Sequence, residues 1–548
     1  MRTWQQNANA GAVGSLGFQR TFTAQLAPDA LGRLAPQRSN TGNSFADFLL
    51  GNPTTGSYRG LPMLPYRFLQ SMPYFQDSWK ATRTLTLNFG VSYFFAQVPD
   101  PQGWARRLPH GFDESTGLLR FAALGQVDPK LLSRDTNNWT PRLGFAWQPR
   151  FLPRTVIRGG AGVYYSDTRL IELQFAMVGP PFNDSVDLIQ NQFDPRPAYT
   201  LGENIFPAQP PLPLDESYAS KLQNAAPFLI NQHGRDPYME QWNFSIQHSI
   251  SPDNLLELAY LGSSSHALQN RYDFDQCHVG PDLRCDPARR PWLRYTSLLR
   301  ADFNGNSSYQ ALLVKLQHRS SSGLNLNFEY TLAKALNDTW EGSASTNAQI
   351  TDCRRCDKGL ASFDARHRAV ISAVYDVPFG HGRRFGGQTH PVVELMGGGW
   401  TITTIASFQT GIPFDLSVPA TTGSPFVTHL PNRVCDGRDD SLAGNLRQDG
   451  GLYFNRSCFQ IPLTGFFGNA GRNILSGPGF QNWDIGIQKF LRIPAREGMQ
   501  LQFRAEAFNA FNHAEFGNPN GNVASPQYGL VTSARQPRRI QFALRFLF

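Results

Sequence analysis

Two-faced stretches of roughly ten residues recur along this chain, and the connections between them take turns between short and long. At 84–93, Leu85, Leu87, Phe89, Val91 and Tyr93 alternate with Thr84, Thr86, Asn88, Gly90 and Ser92. At 238–247, Trp242, Phe244 and Ile246 alternate with Gln241, Asn243, Ser245 and Gln247. The same pattern runs through Leu324, Leu326, Phe328, Tyr330 and Leu332, set against Asn325, Asn327, Glu329, Thr331 and Ala333. It returns at 499–506 with Met499, Leu501, Phe503 and Ala505 against Gln500, Gln502, Arg504 and Glu506. Successive side chains of a strand point to opposite faces, so each stretch reads as a strand with one apolar and one polar face. Strands of this length cross a bilayer at a tilt, whereas strands of soluble domains are about half as long.

The tight connections are 80–83, 150–153, 251–253, 320–323 and 493–497. Between them lie the long ones, 98–136, 167–236, 267–305, 338–364, 410–478 and 513–536, with 378–397 the one long connection on the short-turn side. A propeller or sandwich spaces its strands more evenly. An outer-membrane barrel has short turns at one end and long loops at the other. The pattern therefore predicts an all-β, antiparallel, up-and-down transmembrane barrel wall of roughly 13 to 15 strands.

The chain ends on such a strand. Ile540, Phe542, Leu544, Phe546 and Phe548 share one face, and Arg539, Gln541, Ala543 and Arg545 the other, with Leu547 an apolar intruder. Termini usually fray, so a closing aromatic has no use in a soluble domain. Next to lipid it has one. Leu85, Phe89, Trp242, Phe244, Leu326, Phe328, Leu501, Phe503 and Phe542 are expected to face lipid. Asn88, Asn243, Gln247, Asn327, Gln502, Glu257, Lys315, Glu329, Arg504, Glu506 and Arg545 are expected to face the lumen. Phe503→Arg is expected to act as a mid-membrane charge. Trp147, Trp242, Trp400 and Trp483 lie near predicted strand ends or within strands, where they fit either the aromatic girdles of a barrel or the packed core of a soluble sheet.

Composition narrows the class. Charged residues make up 17%, below the ~25% of soluble domains. The 49 Gly and 39 Pro suit many turns and long loops. No apolar run approaches the ~18 residues of a membrane helix. A mean hydropathy of −0.36 does not argue against a barrel, because half of every barrel strand is polar. The net charge of +8 is spread without a dense Lys/Arg run, so nucleic acid is not an expected partner. The start, MRTWQQNANAGAVGS, lacks the basic and apolar regions of an export signal, which leaves either a soluble protein or a piece whose beginning lies elsewhere.

The six cysteines fall in local pairs, Cys277 with Cys285, Cys353 with Cys356, and Cys435 with Cys458, which predicts three loop disulfides in an oxidising compartment. The CRRC of 353–356 also fits half a zinc site, but no second half accompanies it. Asp364 and His367 could form a general-base pair, yet no nucleophile comes with them. No catalytic residue, metal site or cofactor is expected, and the chain does not read as an enzyme.

Several segments are specific enough to name a family. SFADFLLGNP (44–53), YFQDSWKATRTLTLNFGVSY (74–93), TVIRGGAGVYY (155–165), YQALLVKLQHRSSSGLNLNFEYTLAKALND (309–338), FDARHRAVISAVYDVPFGHGRRFGG (363–387) and LQFRAEAFNAFNHAEFGNPN (501–520) are among them. Together they resemble the TonB-dependent transporters, in particular their Oar-like barrel group, collinearly from residue 44 to the end. The resemblance implies a monomeric barrel of about 22 strands with an N-terminal plug, taking up a large solute with energy delivered through TonB. Signal peptide, TonB box and plug are not recognisable in 1–548. The whole chain therefore reads as the C-terminal portion of such a barrel, engaging TonB only through a missing N-terminal part. Other expected partners are outer-membrane lipid, lipopolysaccharide and the barrel-assembly machinery, the last reading Phe542, Leu544, Phe546 and Phe548. A non-transporting surface or adhesion barrel is the alternative. In either case the expected location is the outer membrane of a Gram-negative bacterium.

Overall fold

The computed structural model describes residues 2–6, 15–28, 34–36, 41–59, 64–166, 172–173, 176, 185–189, 196–202, 226–320, 322–339, 348–380, 383–386, 390–422, 424, 427–443, 446, 451–492 and 499–548. The expected turn at 493–497 lies outside them, as does 205–215, IFPAQPPLPLD, whose prolines predict an extended polyproline-like loop.

The principal sheet holds 15 strands, and all but two short side strands follow one another in chain order without a crossover. In order these are β1 (Tyr74–Lys80), β2 (Leu85–Tyr93), β3 (Trp139–Trp147), β4 (Thr155–Tyr165), β5 (Tyr238–Ser251), β6 (Asn254–Asp273) and β7 (Leu299–Arg319). They continue as β8 (Leu324–Asn337), β9 (His367–Asp376), β10 (Trp400–Gln409), β11 (Phe480–Arg492), β12 (Gln500–Phe508) and β13 (Arg539–Leu547). Every neighbouring pair is antiparallel, so successive connections fall at opposite ends of the sheet. The turn end carries 81–84, 148–154, 252–253, 320–323, 377–399 and 493–499, and the loop end carries the six long connections.

Register carries the two faces across the whole sheet. Phe145 stands opposite Leu87 and Gly159, Gly159 opposite Phe244, Phe244 opposite Tyr260, Tyr260 opposite Leu312, and Leu312 opposite Leu332. Further on, Phe328 stands opposite Ile371, Ile371 opposite Ala406, Ile487 opposite Ala505, and Ala505 opposite Phe542. A one-residue slip at any pair would turn the rest of the sheet inside out. The apolar face is open, with Phe542 72% and Leu143 67% exposed, so the wall buries little against protein. None of the described helices is long and apolar enough to cross a membrane.

Rings gather at both ends of this face. At the loop end Tyr93 meets Trp139 at 5.0 Å, Tyr165 meets Tyr238 at 5.4 Å, Tyr238 meets His266 at 5.0 Å and Phe408 meets Trp483 at 5.9 Å. At the turn end Trp147 meets Phe151 at 6.2 Å and Trp400 meets Phe503 at 6.3 Å. Rings of amphipathic aromatics bracket the hydrocarbon region of barrels. Trp242 lies within its strand, and its indole covers Gly262, where a Cβ would collide with it.

The packed core is in the loops. One cluster draws Phe121 and Leu132 from 94–138, Leu173 and Phe228 from 166–237, Leu298 from 274–298 and Phe303 from β7. A second joins Phe414, Phe454 and Leu475 with Tyr528, and a third joins Cys277 and Cys285 with Ile350, Val427 and Phe467. β6 and β7 rise into this cap. At ~3.4 Å per residue they are about twice as long as a bilayer crossing requires. The expected loop 267–305 is thus strand as far as Asp273 and again from Leu299. A register shift at Ser265–Leu268, with Ala267 at φ 53°, marks where β6 leaves the wall.

With the first strands of a full barrel missing, the sequence predicts an open or strained sheet, the alternative being early closure of the last strand onto one near 14–23 or 45–60, and among the described residues neither stretch pairs with it. Helix α1 (Ser44–Leu49) occupies part of the second stretch, because the Asn43 side chain accepts from the backbone N–H groups of Phe45 and Ala46. Thr55–Arg59 pairs with Ser15–Gly17 and Ser185–Ile189 in a separate small sheet. Among the described residues β13 pairs only with β12 and β1 only with β2, so the sheet is open.

Candidate functional site

The predicted lumen residues fall on the polar face in two groups. In register, Gln247 stands opposite Glu257, Glu257 opposite Lys315 and Lys315 opposite Glu329, with the Lys315 ammonium 3.2 Å from Glu329. One cation flanked by two carboxylates is held on the wall without being buried. Four strands further on, Arg504 pairs with Glu506, and Gln541 donates to Glu506 at 3.0 Å. Gln502 donates to Gln488 at 3.2 Å, and Arg545 stands opposite Gln502. The two groups do not meet. Phe542, Leu544 and Phe546 lie on the exposed edge strand β13, and Phe548 is 92% exposed.

The cap holds the buried charge. Glu172 accepts from Arg271 Nε at 3.2 Å and from an Arg271 terminal nitrogen at 2.7 Å, and Gln269 also donates to it. Burial pushes the Glu172 pKa up, and the Arg271 hydrogen bonds oppose that shift. Asp275 takes Arg290 at 2.5 Å and the Trp292 amide at 2.7 Å, and Asp273 takes the Leu298 and Asp275 amides at 3.1 Å. Burial again raises both aspartates, with these donors pulling the other way. His110, buried against the first cluster, is lowered to about 4 by desolvation and stays neutral at physiological pH.

A cavity of about 530 Å3 opens between the upper parts of β6 and β7 and the segment 348–357. Tyr272, Phe274, Arg300, Asp302 and Arg354 line it. Arg300 Nε donates to the Tyr272 hydroxyl at 2.7 Å, that hydroxyl donates to Asp302 at 3.0 Å, and Arg300 lies 4.1 Å over Phe274. The lining combines aromatic surface with fixed donors and acceptors, which suits a polar solute.

Cys277–Cys285, Cys353–Cys356 and Cys435–Cys458 are joined as disulfides, all at the loop end. Peptide mapping of non-reduced protein is expected to return these three pairs, and free thiols or crossed pairs would contradict them. Reduction is expected to loosen the cap by on the order of 2–4 kcal/mol per bridge while leaving the wall assembled, read as loop proteolysis against strand protection. Asp364 accepts from the Ala335 amide at 2.6 Å, while His367 shares a 2.7 Å hydrogen bond with the Tyr330 hydroxyl, so each of the two is engaged elsewhere.

Sequence reasoning missed the Glu172–Arg271 and Asp275–Arg290 pairs, because their partners are far apart in the chain or carry no motif. It also missed a cationic rim. Lys334, on the apolar-face register of β8, and Arg355 and Lys358, beside the Cys353–Cys356 bridge, line adjoining clefts that share Leu336. The Arg pair inside CRRC was the available signal.

The family model for the outer membrane beta barrel domain matches residues 1–541. A search of curated proteins finds no match. Among solved structures, the outer membrane transporter YddB from Escherichia coli is 9% identical with a TM-score of 0.45, over 90% of this chain and 55% of that one. The ferripyoverdine receptor of Pseudomonas aeruginosa is 8% identical with a TM-score of 0.42, over 91% and 40%. The siderophore receptor PiuA from Acinetobacter baumannii is 10% identical with a TM-score of 0.39, over 95% and 50%. The chain thus spans about half the length of the structures it matches. With an open meander of two-faced strands, rings at both ends of its apolar face and a match over nearly its whole length, the chain belongs to the outer membrane β-barrel domain family and resides in the outer membrane.

Proposed function

We propose that this chain supplies the membrane wall and outer cap of a transporter or receptor that takes up a large solute, energised through the TonB complex. The observation that supports this most is the packed cap over one end of the wall, with a solute-sized polar cavity inside it. On this reading the apolar face meets lipid. The polar face, with Glu257, Lys315, Glu329, Arg504, Glu506 and Arg545, lines the interior. The chain is no enzyme in this role. Its contact with TonB runs through residues N-terminal to the wall, and β13 is the strand that the assembly machinery engages. Lys334, Arg355 and Lys358 suit the phosphates of lipopolysaccharide above the Tyr330–His367 ring pair.

Paired strains with and without the gene, each with and without TonB, test the proposal by following which large solutes leave a complex medium. Depletion that requires both is the expected result. Equal depletion in all four strains would contradict it. The cross-linked cap also fits a display barrel, and attachment that depends on the gene but not on TonB would favour that reading.

A further inference from the structure

The connection 377–399 is long although it lies at the turn end. It contains helix α2 (Pro391–Gly397), whose polarity is inverted relative to a soluble surface helix. Val392, Val393, Leu395 and Met396 are 52%, 42%, 59% and 67% exposed, and Phe385 just before the helix is 56% exposed. The one acidic side chain, Glu394, turns inward, close enough that a Cβ on Gly380 or Gly398 would meet its carboxylate.

The segment is held firmly and on one particular side. The Trp400 indole N–H donates to the Met396 carbonyl at 2.8 Å, and the Lys489 ammonium donates to the Gly398 carbonyl at 2.5 Å. Lys489 lies 5.0 Å over the Trp400 ring and opposite it in register. Both side chains belong to the apolar face, at its turn-end margin. α2 therefore continues the apolar face beyond the last ring of the wall. Arg383 pairs with Asp376 at 3.7 Å, whereas Arg384, stacked on Phe385 at 5.4 Å, has no acidic partner among the described residues.

We propose that α2 is an interfacial anchor embedded in the periplasmic leaflet, with phospholipid acyl chains against Val392, Val393, Leu395 and Met396 and a phospholipid phosphate at Arg384. The proposal rests on the reading of the apolar face as lipid-facing. Continuity with that face selects lipid as the occupant. An apolar helix side with a flanking cation and a tryptophan at its end is the chemistry of a helix lying in the headgroup boundary. It would fix the depth of the wall at a point where β9 and β10 alone would be free to slide.

The described cysteines are all in disulfides, so Met396→Cys adds a single thiol for an environment-sensitive fluorophore. The full chain is placed in nanodiscs of phosphatidylethanolamine and phosphatidylglycerol carrying doxyl quenchers at shallow or deep acyl positions. Leu312→Cys, on the apolar face of β7, serves as the wall reference. The expected result is blue-shifted emission at 396, quenched at least twofold more by the shallow probe, with 312 quenched more by the deep one. Arg384→Glu is expected to abolish any dependence of the 396 signal on phosphatidylglycerol content. Solvent-like emission at 396, or blue-shifted emission that no lipid quencher reaches, overturns the anchor while quenching at 312 leaves the wall standing. Loss of quenching at 312 as well overturns both readings.

Discussion

Phe328→Arg is expected to destabilise the wall by about 2–4 kcal/mol, while Asn327→Arg, one residue away, is expected to be nearly neutral. Phe328 lies midway along the apolar register of β8, between Leu316 of β7 and Ile371 of β9. A guanidinium there would point into hydrocarbon at a depth from which it cannot easily reach either interface. Asn327 stands between Gln317 and Ser372, so an arginine there would meet polar neighbours. Phe503 was the natural choice from sequence, but its depth is different. It stands between Lys489 and Leu544, beside Trp400, at the turn-end margin. A cation is already accommodated next door, so Phe503→Arg is expected to cost only about 0–1 kcal/mol. Urea titration of the three variants in phospholipid vesicles checks the ranking, and an equal cost at 327 and 328 would refute the two-faced wall.

The wall was legible because lipid imposes a period of two on every strand and the turns leave no slack. Leu324 to Leu332 could be assigned to a face without knowing a single partner. That legibility ended where the surroundings changed. Beyond Ser265, β6 enters the cap, a bulge shifts its register, and the successive residues Asn270, Arg271, Tyr272 and Asp273, from both of its faces, are buried. The sequence HALQNRYD then carries no alternation, although it is strand to Asp273. The Glu257–Lys315–Glu329 row was visible only as three charges on polar faces, and their alignment came from register. The cap core was not readable at all. Phe121, Leu173, Phe228 and Phe303 converge from separate connections, and nothing local in the chain ties them together. α2 hid for a different reason. Seven residues show no helical period, and its outward apolar side resembles a core-facing one until its surroundings are known.

The largest effect expected in the cap comes from Arg271→Met, at about 3–5 kcal/mol, because it strands a buried carboxylate. Arg271 and Glu172 are 8% and 0% exposed, so no water replaces the lost guanidinium. Burial already holds the Glu172 pKa above its ordinary value, and without Arg271 the opposing influence is gone. A carboxyl whose folded pKa is raised favours the folded state most when protonated. That contribution is complete below the unfolded value of ~4.3 and is lost as pH rises through the folded one. The defect of Arg271→Met is therefore expected to be full at pH 7 and to shrink as pH falls toward 4.5. His110 works in the opposite direction. Its pKa of about 4 when folded, against ~6.5 unfolded, gives stability that is present above 6.5 and lost as pH falls through 4. That loss is common to the parent and the variant, so the difference between them isolates Glu172. Hydrogen exchange of 94–138, followed in both proteins from pH 7 to 4.5, reads the cap directly. Adding Glu172→Gln to Arg271→Met is expected to remove most of the pH dependence of that difference, since the amide needs no counter-charge. A penalty that stays constant across this range, or that persists unchanged in the double variant, would show that Arg271 supports the cap through its packing alone.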